Sequence, residues 1–424
     1  MSHQTLHQVS LTGQLDRTLI PLNQPSERYL LIKLRVPTPT RPINRSPLNL
    51  SLIIDRSGSM SGDKLEYVKE AAIHALRSLT EADRTSIIIY DDQVETLSPS
   101  RAVTSEVRED LIRRIRQIRT GGMTNLSGGW FTGCDQIADY MTSAYLNRAL
   151  LLTDGLANVG MTDQEQLVYQ SKELRRRGIS TTTFGVGRDF NQFLLQGIAD
   201  AGGGHFYFID KPNQIANYFE GELGELLQTV VREMTLDIEA PQELDITWLN
   251  DASSERQGGR HRLFLGNAYA GEERTLIARI KVPPQSNLRE FQVSLTLRYE
   301  DAEQHQPVTI EGEVIGLTVA EVGVCEQQSV NEGVLKEAGR METEQAKMEA
   351  LRREYAGDVA GAQSVLRQVK ANLSVAMPAP MAASLGAELD EMEAATQSGM
   401  THEERKERHY VTYQVQRSRK DYKK

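Results

Sequence analysis

The stretch from Leu48 to Asp55 reads LNLSLIID, and it runs straight into Arg56-Ser57-Gly58-Ser59. Its near-continuous apolar character suits a strand buried on both faces of a parallel sheet. Four more runs share that character: RTSIIIYD (84–91), RALLLTD (148–154), STTTFGVG (180–187) and HFYFID (205–210). Between them the spacing turns helical. In KLEYVKEAAIHALRSL (64–79), Leu65, Val68, Ala72, Ala75 and Leu79 keep to one helical face. Further helices are expected at 105–118, 128–145, 163–177 and 213–231. Strand–helix alternation across 48–231 predicts a doubly wound, Rossmann-like α/β domain with a mostly parallel sheet.

On either side the rhythm changes. LIPL (19–22) and YLLIKLRV (29–36) read as strands separated by turn-prone NQPSE, and PTPTRPINRSP (37–47) is a proline-rich connector. From residue 232 onward, segments such as MTLDIEAP, LDITWLN, RTLIARIKVPP and FQVSLTLRYED have period-two character, which predicts an antiparallel β-sandwich over 233–321. A strand pair alone is too small for a stable sheet, so residues 1–46 are expected to join that sandwich, with the α/β domain of 47–232 inserted between its strands; an edge hairpin on the α/β domain is the alternative. The region 322–400 reads as a helical hairpin turning at YAGD (355–358), followed by a further helix around 384–396. The segment 401–424 reads as a basic tail. Its end, 403–424, carries eight Lys and Arg against four acids, with Tyr410, Tyr413 and Tyr422 interleaved. Such a run is expected to be solvated, with nucleic acid or an acidic partner as the alternative contact.

The chain has 424 residues, 39% of them apolar and 25% charged, and a formal net charge of −10. An acidic balance argues against nonspecific nucleic-acid binding, because phosphate neutralisation needs surplus Lys and Arg. Cys134 and Cys325 are too few for a disulfide scaffold and too far apart for a thiolate metal site. The first residues, MSHQTLHQVSLTGQLDR, lack the basic flank and apolar core of a secretion signal. No apolar run is long enough to span a bilayer. The expected setting is therefore cytoplasmic and reducing.

The sharpest chemical signal is Asp55, Ser57 and Ser59 at the carboxyl end of the first buried strand, the edge at which open α/β sheets bind ligands. One carboxylate and two hydroxyls suit a hard, oxygen-seeking cation but are too few ligands alone. Two neighbouring strand ends offer more. GGMTNLSGG (121–129) places Thr124 in a glycine-flanked loop, and LLLTDG (150–155) places Asp154 at the end of a buried strand. In this pattern the chain resembles the von Willebrand factor type A domains that carry a metal-ion-dependent adhesion site. Asp55, Ser57 and Ser59 match the DxSxS motif, Thr124 the second-loop threonine and Asp154 the third-loop aspartate. The resemblance covers 48–231, and the layout as a whole is similar to bacterial type A proteins with a β-sandwich and a helical tail. It implies Mg2+, with Mn2+ or Ca2+ as substitutes, held by those five residues. It also implies a coordination position left for an acidic residue of a partner protein.

Enzyme motifs do not accompany the site. Gly58-Ser59-Met60-Ser61-Gly62-Asp63-Lys64 has glycines one residue too close for a phosphate-binding loop, and GxSxG and HExxH are absent. His205 beside Gly202-Gly203-Gly204 is read as a loop or strand-start residue rather than a base. Asp91-Asp92 is read as a solvated strand end, and Trp130 as core packing beneath the site. The expectation is a non-enzymatic, metal-dependent protein-interaction module. The alternative is an accessory subunit of an AAA+ ATPase machine, similar to the adhesion-site subunits of metal chelatases. The helix at 213–231, with Ile215, Tyr218, Phe219, Leu223, Leu226 and Leu227 as its apolar face, is read as a fixed tether into the sandwich, with a two-position switch as the alternative.

Overall fold

The computed structural model describes residues 8–39, 45–155, 157–187 and 189–417. Three strands come first: β1 (Ser10–Leu15), β2 (Leu19–Pro21) and β3 (Ser26–Arg35). There follow β4 (Leu48–Asp55), α1 (Asp63–Ser78), β5 (Arg84–Tyr90), β6 (Val94–Ala102), α2 (Ser105–Arg116), α3 (Leu126–Ala138), β7 (Leu146–Thr153), α4 (Gln164–Arg176), β8 (Ser180–Val186), α5 (Gln192–Ala201), β9 (Gly203–Ile209) and α6 (Ile215–Leu227). Eight strands come next: β10 (Thr229–Glu239), β11 (Asp245–Trp248), β12 (Ser253–Gln257), β13 (Arg260–Tyr269), β14 (Glu273–Val282), β15 (Glu290–Asp301), β16 (Pro307–Glu311) and β17 (Ile315–Ala320). The chain ends in helices: α7 (Val322–Glu326), α8 (Glu332–Tyr355), α9 (Val359–Ala376), α10 (Ala379–Ser398) and α11 (His402–Gln416).

These elements form two compact units. One joins the described residues before 40 with those from Val230 onward, and the other holds the described residues from 45 to Thr229. The second is a six-stranded sheet in the order β6-β5-β4-β7-β8-β9. All its pairings but β5–β6 are parallel. β4 lies at the centre with every residue buried, as its near-continuous apolar run requires. Two glycines let α3 lie close on the sheet. A Cβ at Gly129 would fall 2.4 Å from the Tyr90 ring, and one at Gly133 would fall 2.5 Å from Ile53. Three elements depart from expectation. The antiparallel edge strand β6 and the helix α5 were not expected, and α6 ends at Leu227 because Thr229, Val230 and Val231 begin β10.

In the first unit, a four-stranded sheet (β1-β3-β14-β11) faces a larger one (β12-β13-β10-β15-β17-β2, with β16 on β15). A Cβ at Gly13 of β1 would fall 2.6 Å from Ile315 and 2.9 Å from Leu295, so the two sheets meet there through their side chains. β3 runs antiparallel between β1 and β14, and β2 pairs in parallel with β17. The run Tyr29-Leu30-Leu31-Ile32 is buried throughout because the sheet is covered on both faces. Tyr29 and Leu31 share one hydrophobic core with Val334 and Ala338 of α8, Leu366 of α9 and Leu389 of α10, and the Tyr29 hydroxyl donates to Glu342 at 2.8 Å.

The C-terminal segment corrects one expectation. Residues 402–416 are a capped helix and not a solvated tail: Thr401 and Glu404 form a capping box, and Tyr410 and Tyr413 are buried. Its basic residues are tied down too, with Arg405 on Glu354 at 2.7 Å, Arg408 on Glu391 at 3.0 Å, and Lys406 buried. Arg419, Lys420, Tyr422, Lys423 and Lys424 lie outside the described residues. Among the described residues, no helix is long and apolar enough to cross a membrane.

Candidate functional site

Three loops at the carboxyl ends of β4 and β7 and before α3 bring five side chains together. Asp55 closes β4 with no exposure; its Oδ1 accepts the Ser57 amide at 2.8 Å and its Oδ2 accepts the Thr153 hydroxyl at 2.6 Å. The Ser57 and Ser59 hydroxyls lie 3.1 Å apart, and Ser59 Oγ donates to Asp154 Oδ1 at 2.7 Å. Asp154, also fully buried, follows β7, and the Lys64 ammonium sits on its other oxygen, Oδ2. Thr124 completes the group. A Cβ at Gly155 would fall 3.3 Å from Thr124 Oγ1 and 3.5 Å from Ser59 Oγ, so the bare Gly155 backbone leaves room for both hydroxyls. Of the five residues, only Ser59 is exposed, so the group opens to solvent on its side.

Backbone hydrogen bonds lace the loops into one frame. Gly58 N–H donates to Gly122 O at 2.9 Å and Gly121 N–H to Arg56 O at 2.7 Å. Asn158 grips Thr124 from both sides: its Oδ1 accepts the Thr124 amide at 2.8 Å, and its own amide donates to Thr124 O at 3.2 Å. Asp91 is a structural residue, which corrects its reading as a solvated end. It is buried, its backbone oxygen accepts the Asn125 amide at 2.7 Å, and its carboxylate meets the Arg56 guanidinium at 3.3 Å. Gly121 is required here, because a Cβ on it would lie 1.7 Å from Asp91 Oδ2.

The electrostatics follow from burial. Loss of water pushes the Asp55 carboxyl up to about 6; the bonds from Thr153 and Ser57 pull it down, and the neighbouring Asp154 charge adds to the rise. Two buried carboxylates are thus grouped with the hydroxyls of Ser57, Ser59 and Thr124. The donor set is oxygen throughout, and it fits a hard divalent cation, which favours carboxylate and neutral oxygen ligands.

Trp130 is fully buried, with its indole N–H on Thr181 Oγ1 at 3.2 Å, and so belongs to the core. His205 is on β9 near the amino-terminal ends of the strands. Its Nδ1 lies 2.7 Å from Glu222 and 3.8 Å from Glu225, both on α6. These three are close enough together to hold an ion. Glu222 is already engaged, however, by Thr182 at 2.7 Å, Tyr207 at 2.9 Å and the Arg148 guanidinium at 3.9 Å. The cluster is a buried polar network that fastens α6 to β7, β8 and β9. Sequence reasoning missed Thr153, Asn158 and Lys64. Thr153 directly precedes Asp154, and that adjacency was the one available signal.

Comparison with known proteins agrees with this fold. The family model for the von Willebrand factor type A domain matches residues 49–221. The chain is 28% identical to the uncharacterized protein YfbK of Escherichia coli, over 53% of this chain and 39% of that one. It is 26% identical to the uncharacterized protein sll0103 of Synechocystis, over 61% and 62% of the two chains. With the pig inter-alpha-trypsin inhibitor heavy chain H1 the identity is 26%, over 55% and 25%. The match thus spans less than two thirds of each of these relatives. Two solved structures resemble the fold over 97% of this chain and 98% of their own: a von Willebrand factor type A protein from Catenulispora acidiphila (TM-score 0.74, 18% identity) and the ArnB paralog VWA2 from Sulfolobus acidocaldarius (TM-score 0.62, 16% identity). Residues 49–221 of this chain are a von Willebrand factor type A domain.

Proposed function

We propose that this domain is a metal-dependent protein-binding module, with binding rather than catalysis as its role. In this reading Asp55, Ser57, Ser59, Thr124 and Asp154 hold Mg2+, with Mn2+ or Ca2+ able to replace it. The observation that carries the proposal is the convergence of two buried carboxylates and three hydroxyls on one rim. The carboxylates neutralise charge, while the hydroxyls offer neutral oxygens, with Ser59 donating its proton to Asp154. Mg2+ takes about six oxygens and keeps water where protein does not supply them, so it would offer a replaceable position to a partner's carboxylate. Access lies beside exposed Ser59, and exposed Met123, immediately before Thr124, adds an apolar contact at the rim.

Calorimetric titration of the purified chain with MgCl2 tests the ligand set. Asp55→Ala and Asp154→Ala should each abolish measurable binding while the circular dichroism spectrum is retained. Wild-type affinity in folded Asp55→Ala would overturn the assignment.

A further inference from the structure

Lys64 is the second residue of α1, yet its side chain turns back toward the rim. Its ammonium meets Asp154 Oδ2 and the Ser59 carbonyl oxygen, the latter at 3.3 Å. A cation at the start of a helix faces the positive end of the helix dipole, so this placement is unfavourable without a compensating anion. Asp154 is that anion. The carboxylate is fully buried, whereas the lysine side chain keeps 24% of its exposure and a path to solvent. The stem is packed as well: a Cβ on Gly187 would lie 3.2 Å from Lys64 Cε and 3.3 Å from Nζ. Gly187 has φ +78, a conformation that favours glycine, and with no Cβ it leaves that space to the lysine.

A buried carboxylate without a cation is strongly unfavourable. A dication held by Asp154 would supply that charge and at the same time repel an ammonium a few ångströms away. The two cations are therefore alternatives on one oxygen. We propose that Lys64 is a resident counter-cation of the site, which holds Asp154 while no metal is bound and gives way when a dication enters. Lys64 then sets the metal concentration at which the module becomes competent to bind its partner. This inference rests on the metal-binding reading above.

The test is MgCl2 titration of the full chain as wild type, Lys64→Met and Lys64→Arg. Lys64→Met keeps the length and loses the charge, and should bind Mg2+ about tenfold more tightly. Lys64→Arg keeps the charge and should stay within about twofold of wild type. In chelator, Lys64→Met should melt below wild type, and Mg2+ should close the gap. A wild-type readout stands beside these. Acetylation of Lys64 by acetic anhydride, followed by mass spectrometry, should be slow in chelator and faster in Mg2+. If wild type binds Mg2+ while Lys64→Met binds equally or more weakly, or if Mg2+ leaves the labelling rate unchanged, the lysine's role is overturned and the metal site stands. If neither wild type nor Lys64→Met binds Mg2+, both readings fall. Binding by Lys64→Met alone supports the lysine as the block.

Discussion

Thr153 and Asn158 offer no oxygen to the proposed ion, yet each fixes a residue that does. Thr153 orients Asp55 through a 2.6 Å hydrogen bond, and Asn158 pins the Thr124 backbone at its amide and carbonyl. Supporting residues of this kind commonly change metal affinity by about tenfold or more when removed. Asn158→Ala should therefore weaken Mg2+ binding about tenfold, because Thr124 loses its anchor. Asn158 is exposed, so the melting temperature in chelator should move by less than about 2 °C. Calorimetry together with thermal melting separates the two effects, and unchanged affinity would remove Asn158 from the site. This residue also shows where the sequence stops being legible. Asp55, Ser57 and Ser59 stand within five positions of one another, so their shared loop can be read from the chain. The roles of Asn158, Asp91 and Lys64 arise from partners 34, 31 and 90 positions away, and no local spacing encodes them.

Among the elements, the reading failed where burial is partial or the run is short. β6 carries Pro99 and alternates irregularly, which a strand tolerates only at a sheet edge, and β6 is an edge. α5 has ten residues between two glycine-rich stretches, and the glycines read as loop. α11 misled for a different reason: its charges hide a buried face. His409 on that face is buried, and burial holds its imidazole down at about 3, with the Arg352 and Lys406 charges adding. Unfolded, the same ring titrates near ~6.5. Between those values the unfolded chain takes up a proton that the folded one refuses. The stabilisation by neutral His409 is therefore complete above pH ~6.5 and declines as pH falls, by about 1 kcal/mol per pH unit. In urea titrations at pH 7, 6 and 5, the unit containing α11 should lose stability more steeply in wild type than in His409→Leu. Parallel slopes would show that the ring is not held neutral.

For the whole molecule, the sequence rhythm separates three kinds of architecture. A mostly parallel α/β sheet, antiparallel sheets and C-terminal helices follow in that order. What the rhythm could not show is how β3 is covered, because its long buried run arises from helices far along the chain. β3 gives one edge to β1 and the other to β14 over ten paired positions, from Glu273↔Arg35 to Val282↔Ser26. Tyr29 and Leu31 pack with the helices, while Leu30, Ile32 and Leu34 are buried in alternation with them. A fragment of 230–417 would thus lose the middle of one sheet and a floor for α8. The fragment 45–229 keeps all six strands of its own sheet and should melt cooperatively with the Mg2+ affinity of the full chain. The fragment 230–417 should not melt cooperatively, but residues 8–39 joined to its amino end by a flexible glycine–serine linker should restore the transition. Differential scanning calorimetry on the three fragments decides the matter. A cooperative transition from 230–417 alone would mean that β14 and β17 stand without their N-terminal partners, and the N-terminal strands would then be an accessory and not part of the core.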